Sequence, residues 1–397
     1  MFNKSKINVL MVTGVYLPEI NGAVLQCYQL IKNLKESINF SVLAGTNNKL
    51  NQGISYIDDV PILKVYMPKG QKIKYIIGGV KFFFALINLL RGVDIIHIHG
   101  FSKRNAITIL ICIIFQKKIA IKLTSNGFDD PMSIKKNSFF FWKLFKCCDA
   151  FIGISPSFLL SFKQARLSDA KYKFIPNGVD FERFSPVCQK TRNELREKYG
   201  FKESDKILLF VGHFSNDKRP MLLYEAWVNL NNENISTKLI FVGQTSNYFE
   251  VEEKVKISLK IDALERKLFE QISFVEKTFQ IDEYMKIADV FVLPSIREGL
   301  PNALLEAMSC ALPCVVNNLQ GVTDWLIEDS VTGLLFDSSE PDVLAGKIKS
   351  ILLDPKNYSR MGIKARNFIK SNFSFDLTSK LTFDLYLELD SDPNKYQ

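Results

Sequence analysis

Ser295-Ile-Arg-Glu-Gly-Leu-Pro-Asn-Ala-Leu-Leu-Glu-Ala-Met-Ser-Cys-Ala-Leu-Pro313 is the stretch on which the reading of this chain turns. The apolar run Ala288–Leu293 before it, closed by Pro294, reads as a short buried strand. A loop follows, then a helix starting near Pro301, since proline's missing N–H goes unused in a first helical turn. Glu298 in the loop and Glu306 in the helix bracket this turn. The free N–H groups and positive dipole end of the helix favour an anion, whereas carboxylates suit sugar hydroxyls. The stretch therefore predicts a place where a sugar and a phosphate lie side by side.

The flanking pattern Pro-Ser-x-x-Glu-Gly-Leu-Pro-x-x-x-Leu-Glu-Ala-Met, with two glutamates separated by seven residues, resembles the donor-binding signature of the family 4 retaining glycosyltransferases. Elsewhere the resemblance is good at 174–181 and 211–220 and loose before residue 93. It implies an α/β chain of GT-B architecture, with two Rossmann-like domains, an interdomain cleft and a C-terminal helix that crosses back to the N-terminal domain. The expected division is 1–185 for the acceptor-binding domain, 186–205 for a linker, 206–372 for the nucleotide-sugar domain and 373–397 for the crossover helix and tail.

Length agrees, because 397 residues exceed one ordinary core. A content of 47% hydrophobic and 23% charged residues is globular. Seven cysteines lack metal or disulfide spacing and no signal peptide is visible, which points to a reducing cytoplasm. With three histidines, His97, His99 and His213, a histidine-built metal site is not expected. Residues 1–185 hold 25 Lys and Arg against 11 Asp and Glu, whereas the remainder is mildly acidic. The first half thus suits an anionic partner such as a membrane surface or a lipid-pyrophosphate acceptor. No nucleic-acid motif appears.

In chain order, Ile7–Val12 reads as a first parallel strand, followed by the loop Gly14–Gly22 and a helix to about Glu36. Phe40–Ala44 and Ile62–Tyr66 read as the next strands. The apolar segment Ile73–Leu90 is interrupted by Lys74, Lys81, Asn88 and two glycines, which disfavours a membrane span and suits a helix partly lying on a membrane. Ile134–Lys146 interleaves aromatics with lysines, either as a core-facing helix with snorkelling lysines or as an interfacial patch. Val93–His99 is a strand that places His99 at its carboxyl end, where open parallel sheets bind ligands, and His97 deeper in the sheet.

The resemblance distributes roles residue by residue. Glu298, His99 and Lys218 would be catalytic. Glu306, Gly299, Leu300, Arg219, His213 and Gly22 would bind the donor, with Glu306 on the ribose diol. Asn21, Asn126, Asn177 and Asp180 would line the acceptor side of the cleft. Several positions depart from the family pattern: His213 stands where arginine is usual, Arg219 and Glu276 where glycine is usual, and Asp324 where glutamate is common. The metal-binding Asp-x-Asp pattern of other transferases occurs only at Asp390-Ser391-Asp392, near the end of the chain.

No cofactor and no metal are expected. Lys218, Arg219 and helix-start N–H groups would take up the charge of a departing diphosphate. The expected reaction is retaining transfer from a nucleotide-diphosphate sugar to a saccharide or lipid-linked saccharide, in bacterial surface polysaccharide assembly. The expected place is the cytoplasm, peripheral on the inner leaflet. The rivals are an impaired nucleotide-sugar-binding protein and a two-Rossmann-domain epimerase, which would lack this pair of glutamates.

Overall fold

The computed structural model describes residues 6–243, 250–276 and 278–390. It divides into two units, residues 1–178 with 375–397, and residues 179–374. The expected boundary near residue 185 thus falls after Gly178. Ser391 and Asp392 of the Asp-x-Asp pattern lie outside the described residues.

The first unit begins with β1 (Ile7–Thr13), α1 (Gly22–Leu34), β2 (Ile38–Thr46), β3 (Gly53–Ile57), β4 (Val60–Tyr66) and α2 (Lys72–Leu90). It continues with β5 (Ile95–His99), α3 (Lys103–Ile114), β6 (Lys118–Lys122), α4 (Pro131–Asn137), α5 (Phe139–Phe145), β7 (Ala150–Gly153), α6 (Pro156–Gln164) and β8 (Tyr172–Phe174). The sheet order is β3-β4-β2-β1-β5-β6-β7-β8. Every pairing is parallel except β3 with β4. Short apolar runs such as Val9–Val12 are buried on both faces, as parallel strands covered by helices require.

Two elements differ from the sequence expectation. The β3–β4 hairpin was not anticipated; it turns at Asp58 and Asp59, both with positive φ, and residues short enough to bond their own backbone tolerate that region. The segment 134–146 is two helices rather than one. Ser138 ends α4 in extended backbone and its side chain caps Phe141 N of α5.

The long helix α2 satisfies length and composition for a membrane span, yet its Gly78, Phe82, Leu86 and Leu90 stripe is buried. A Cβ on Gly78 would lie 2.3 Å from the Tyr66 carbonyl oxygen, so only glycine lets α2 approach the end of β4 this closely.

The second unit comprises α7 (Gln189–Lys198), β9 (Ile207–Val211), α8 (Pro220–Asn232), β10 (Lys238–Val242), α9 (Glu250–Glu265), β11 (Ile272–Val275) and α10 (Ile281–Ile287). After these come β12 (Val290–Leu293), α11 (Asn302–Ser309), β13 (Cys314–Asn317), α12 (Thr323–Leu326), β14 (Leu334–Phe336), α13 (Pro341–Leu353) and α14 (Pro355–Asn372). Its sheet is ordered β11-β10-β9-β12-β13-β14, parallel throughout. The region expected as a linker contains α7, which is bound into this unit. The buried Arg196 donates to the Ile287 and Glu203 carbonyls and pairs with Asp289 at 2.8 Å.

The last helix, α15 (Phe375–Leu389), belongs to the first unit. Its Tyr386 and Leu385 are buried in that unit's core. Thr378 Oγ1 donates to the Pro176 carbonyl at 2.9 Å.

Candidate active site

In both sheets the strand order reverses once, between β1 and β5 in the first unit and between β9 and β12 in the second. At such a reversal the loops from the two strands run to opposite faces and leave a ligand-sized crevice beyond their carboxyl ends. Most of the predicted residues lie on the loops at these two places.

In the second unit, the loop after β9 and the loop after β12 are joined residue by residue. Ile296 N donates to the Asp217 carbonyl at 2.8 Å, and Arg297 pairs with the Asp217 carboxylate. Lys218 Nζ meets Glu298 Oε1 at 2.5 Å, with Glu298 almost wholly buried. Arg219 takes a left-handed backbone (φ 48°) just before Pro220 opens α8. Its guanidinium donates to the Pro294 carbonyl at 2.8 Å, the Ser338 carbonyl at 3.1 Å and Ser339 Oγ at 3.2 Å. Arg219 therefore fastens three loops together. His213 in the same loop is exposed. Gly299 and Leu300 are buried just ahead of α11.

Glu306 sits mid-helix on α11, and burial pushes its carboxyl up to about 8. Arg183 opposes that rise and Asp282 adds to it. Arg183 Nε donates to Asp282 Oδ1 at 3.1 Å, so an ion pair supplies the field that the Glu306 carboxyl feels. Asp180 turns back on its own segment, accepting from Glu182 N and Arg183 N and thereby setting Arg183.

In the first unit, Asn21 Oδ1 caps α1 by accepting from Val24 N at 2.9 Å, and Gly22 is the first helical residue. His99 ends β5 and is buried, its ring stacked on His97 with centroids 4.6 Å apart. Burial, then His97 and Lys122, hold the His99 imidazole well below the usual histidine range. Asn126 Nδ2 donates to Ser157 Oγ at 2.6 Å. Asn177 is buried beside Gly178, whose N–H and carbonyl are both bound by Gln26 of α1.

The family models described as Glycosyltransferase Family 4 and Glycosyl transferases group 1 match residues 20–183 and 191–368. The chain belongs to the family 4, group 1 glycosyltransferases. This glycosyltransferase is 26% identical over 401 residues to an Escherichia coli UDP-Gal:alpha-D-GlcNAc-diphosphoundecaprenol alpha-1,3-galactosyltransferase, covering 97% of this chain and 98% of the relative. Two solved structures share its fold. Anabaena HepE in complex with UDP superposes with a TM-score of 0.77 at 16% identity, over 96% of this chain and all of the other. Sucrose-phosphate synthase from Thermosynechococcus elongatus superposes with a TM-score of 0.78 at 17% identity, over 97% and 99%. The architecture is GT-B.

Several neighbours of the candidate residues carry no signal in the sequence. Asp217 and Arg297 couple the two loops of the second unit, and the Arg183–Asp282 pair acts electrostatically on Glu306. Asp129 of the first unit, pushed up to about 6 by burial, accepts from Thr124 N, Thr124 Oγ1 and Ser125 N, which organises the loop carrying Asn126. Adjacent loop positions such as Thr124 and Asp129 carry a readable turn signal. Partners from distant segments carry none.

Proposed function

We propose that this glycosyltransferase moves a sugar, with retention of anomeric configuration, from a nucleotide-diphosphate sugar to a saccharide carried on a lipid. The observation that carries the reading is the Lys218–Glu298 pair at the strand-order reversal of the second sheet. Without donor, the ammonium and the carboxylate neutralise each other. With donor, Lys218 is the group suited to the diphosphate and Glu298 to the sugar hydroxyls, so the pair separates toward two parts of one ligand. Charge developing on the leaving diphosphate is met by Lys218 and by backbone N–H groups opening α8. Glu306 takes the ribose diol. Transfer proceeds without a bound divalent ion.

The lipid-linked acceptor is favoured by the name of the Escherichia coli relative and by one surface of the first unit. On α2, Ile73, Ile77, Val80 and Phe84 recur at helical spacing and are 76%, 51%, 50% and 65% exposed. Lys74 and Lys81 flank that stripe. Phe139 and Phe140 of α5 are likewise exposed, at 71% and 56%. An outward apolar stripe edged by lysines suits the interface of an anionic leaflet, and this supports reading the enzyme as peripheral on the cytoplasmic face, in surface polysaccharide assembly.

The test is a transfer assay that screens nucleotide sugars against sugar-diphospholipid acceptors, with and without EDTA. Product anomers are assigned by NMR. Retained configuration and undiminished EDTA rates are expected. An inverted product, or loss of rate on chelation, would refute the mechanism; donor hydrolysis or epimerisation without transfer would refute the function.

A further inference from the structure

The first unit holds a second set of polar side chains, in which His99, the histidine that the resemblance makes catalytic, stands among neighbours to which nothing above gives a role. Register partners across β1, β5 and β6 are Met11 with His97, His97 with Ala120, and His99 with Lys122. Alternation along the strands therefore puts Met11, His97, His99 and Lys122 on one face of the sheet. His97 is anchored there, its Nδ1 lying 2.6 Å from the Tyr386 hydroxyl of α15, which also meets Met11 Sδ at 3.8 Å.

His99 and Lys122 are the outer pair, at the carboxyl ends of adjacent strands beside the reversal between β1 and β5. Both ring nitrogens of His99 are buried with no hydrogen-bond partner among the described residues. Lys122 is 6% exposed, and among the described residues no hydrogen bond or ion pair engages its ammonium. The titratable groups that face Lys122 are His97 and His99 of β5 and the Cys27 thiol of α1. None of these is a carboxylate.

Burying an ammonium without a counter-charge costs several kcal/mol, and an apolar side chain at the end of β6 would avoid the cost. Water could meet the hydrogen bonds but not the charge. We infer that Lys122 and His99 form a binding site for an anionic oxygen group, a carboxylate or a phosphate carried on a saccharide substrate. Lys122 supplies the charge and up to three donors, and a neutral imidazole supplies one donor and one acceptor for a neighbouring hydroxyl. The protonation states agree. Burial lowers Lys122 to about 8, so it is mostly charged at neutral pH, while His99 stays neutral. Describing the ligand as a saccharide substrate rests on the transfer reading above. Binding itself is measured without turnover, so the two can fail separately.

With three histidines in the chain, 15N-histidine labelling of the full-length protein gives three imidazoles to follow by NMR. Inorganic phosphate, glucuronate and glucose are titrated in turn. Saturable shifts of His99 with glucuronate or phosphate, and none with glucose at equal concentration, are expected. The anion that responds tells a carboxylated sugar from a phosphate-bearing one. Lys122→Met should raise the half-saturation concentration at least tenfold, with the circular dichroism spectrum and the thermal midpoint confirming the fold, while Lys122→Arg keeps the preference for anions. Glucose shifting His99 as strongly as the anions, no ligand shifting it, or unchanged affinity in Lys122→Met would each overturn the assignment. Should Lys122→Met fail to fold, the selectivity of the unaltered protein decides alone.

Discussion

Replacing Lys218 by alanine separates the two things its ammonium does. The Glu298 carboxylate it meets at 2.5 Å is 8% exposed, and the Lys218 side chain is 24% exposed. Removing one partner of a buried pair costs about 3–5 kcal/mol; with the lysine at the rim, about 2–3 kcal/mol of stability is expected here. Catalysis loses a charge-assisted contact to the departing diphosphate, roughly 1.5–3 kcal/mol, or about 10- to 100-fold in turnover. A second variant, Lys218→Met with Glu298→Gln, removes both charges, and most of the stability should return while turnover stays depressed. Urea midpoints report the first quantity, and initial rates at saturating donor, measured well below the unfolding transition, report the second. Turnover that recovers together with stability in the double variant would show that Lys218 only holds the fold. A single variant as fast as the unaltered enzyme would remove Lys218 from the mechanism.

Other expectations follow from individual groups. Glu306, raised to about 8, must ionise to accept from a ribose diol, so donor affinity should climb with pH and level off above about 8, by at most tenfold per unit; Glu306→Gln should flatten that profile in a calorimetric titration. In the ligand-free protein the sign reverses. The folded state holds a proton that the unfolded chain releases above its ordinary value, so this group's stabilisation is full below that value and is lost as pH rises toward 8, by at most about 1.4 kcal/mol per unit; denaturation of wild type against Glu306→Gln across that window checks it. Arg219→Ala removes bonds to Pro294, Ser338 and Ser339 and should cost about 2–3 kcal/mol while raising the donor KM, which urea melts and steady-state kinetics measure together. Ile73→Glu with Phe84→Glu on the outer stripe of α2 should weaken flotation with anionic liposomes at least about tenfold and leave the urea midpoint unchanged; unchanged flotation would dismiss the membrane face.

Local elements were largely readable. Ile7–Val12, Val93–His99 and Ala288–Leu293 are short apolar runs bounded by turn residues, and each is a buried parallel strand. The helix that follows Pro301 was expected from that proline and runs Asn302–Ser309. The misreadings also have local causes. Asp58-Asp59 was not read as a hairpin turn, and Ser138 is a cap hidden between two runs of lysines and aromatics. The short helix expected in the polar stretch before residue 206 is α7, but its buried Arg196 gave no apolar signal that it packs into the second unit.

The order of the chain by itself determined the fold class, the two repeats of strand and helix, and the candidacy of Glu298, Glu306 and His99. The fold class and the repeats rest on periodicity, and the candidacy of the three residues rests on their resemblance to the family pattern, whose motifs are each local in the chain. Only the tertiary structure decided that Lys218 meets Glu298 across 80 positions, that Arg219 fastens loops, that the Arg183–Asp282 pair acts on Glu306, and that Lys122 stands beside His99. Those pairings depend on which strands lie side by side in each sheet, and strand order is set by the packing of whole units, which no local spacing encodes.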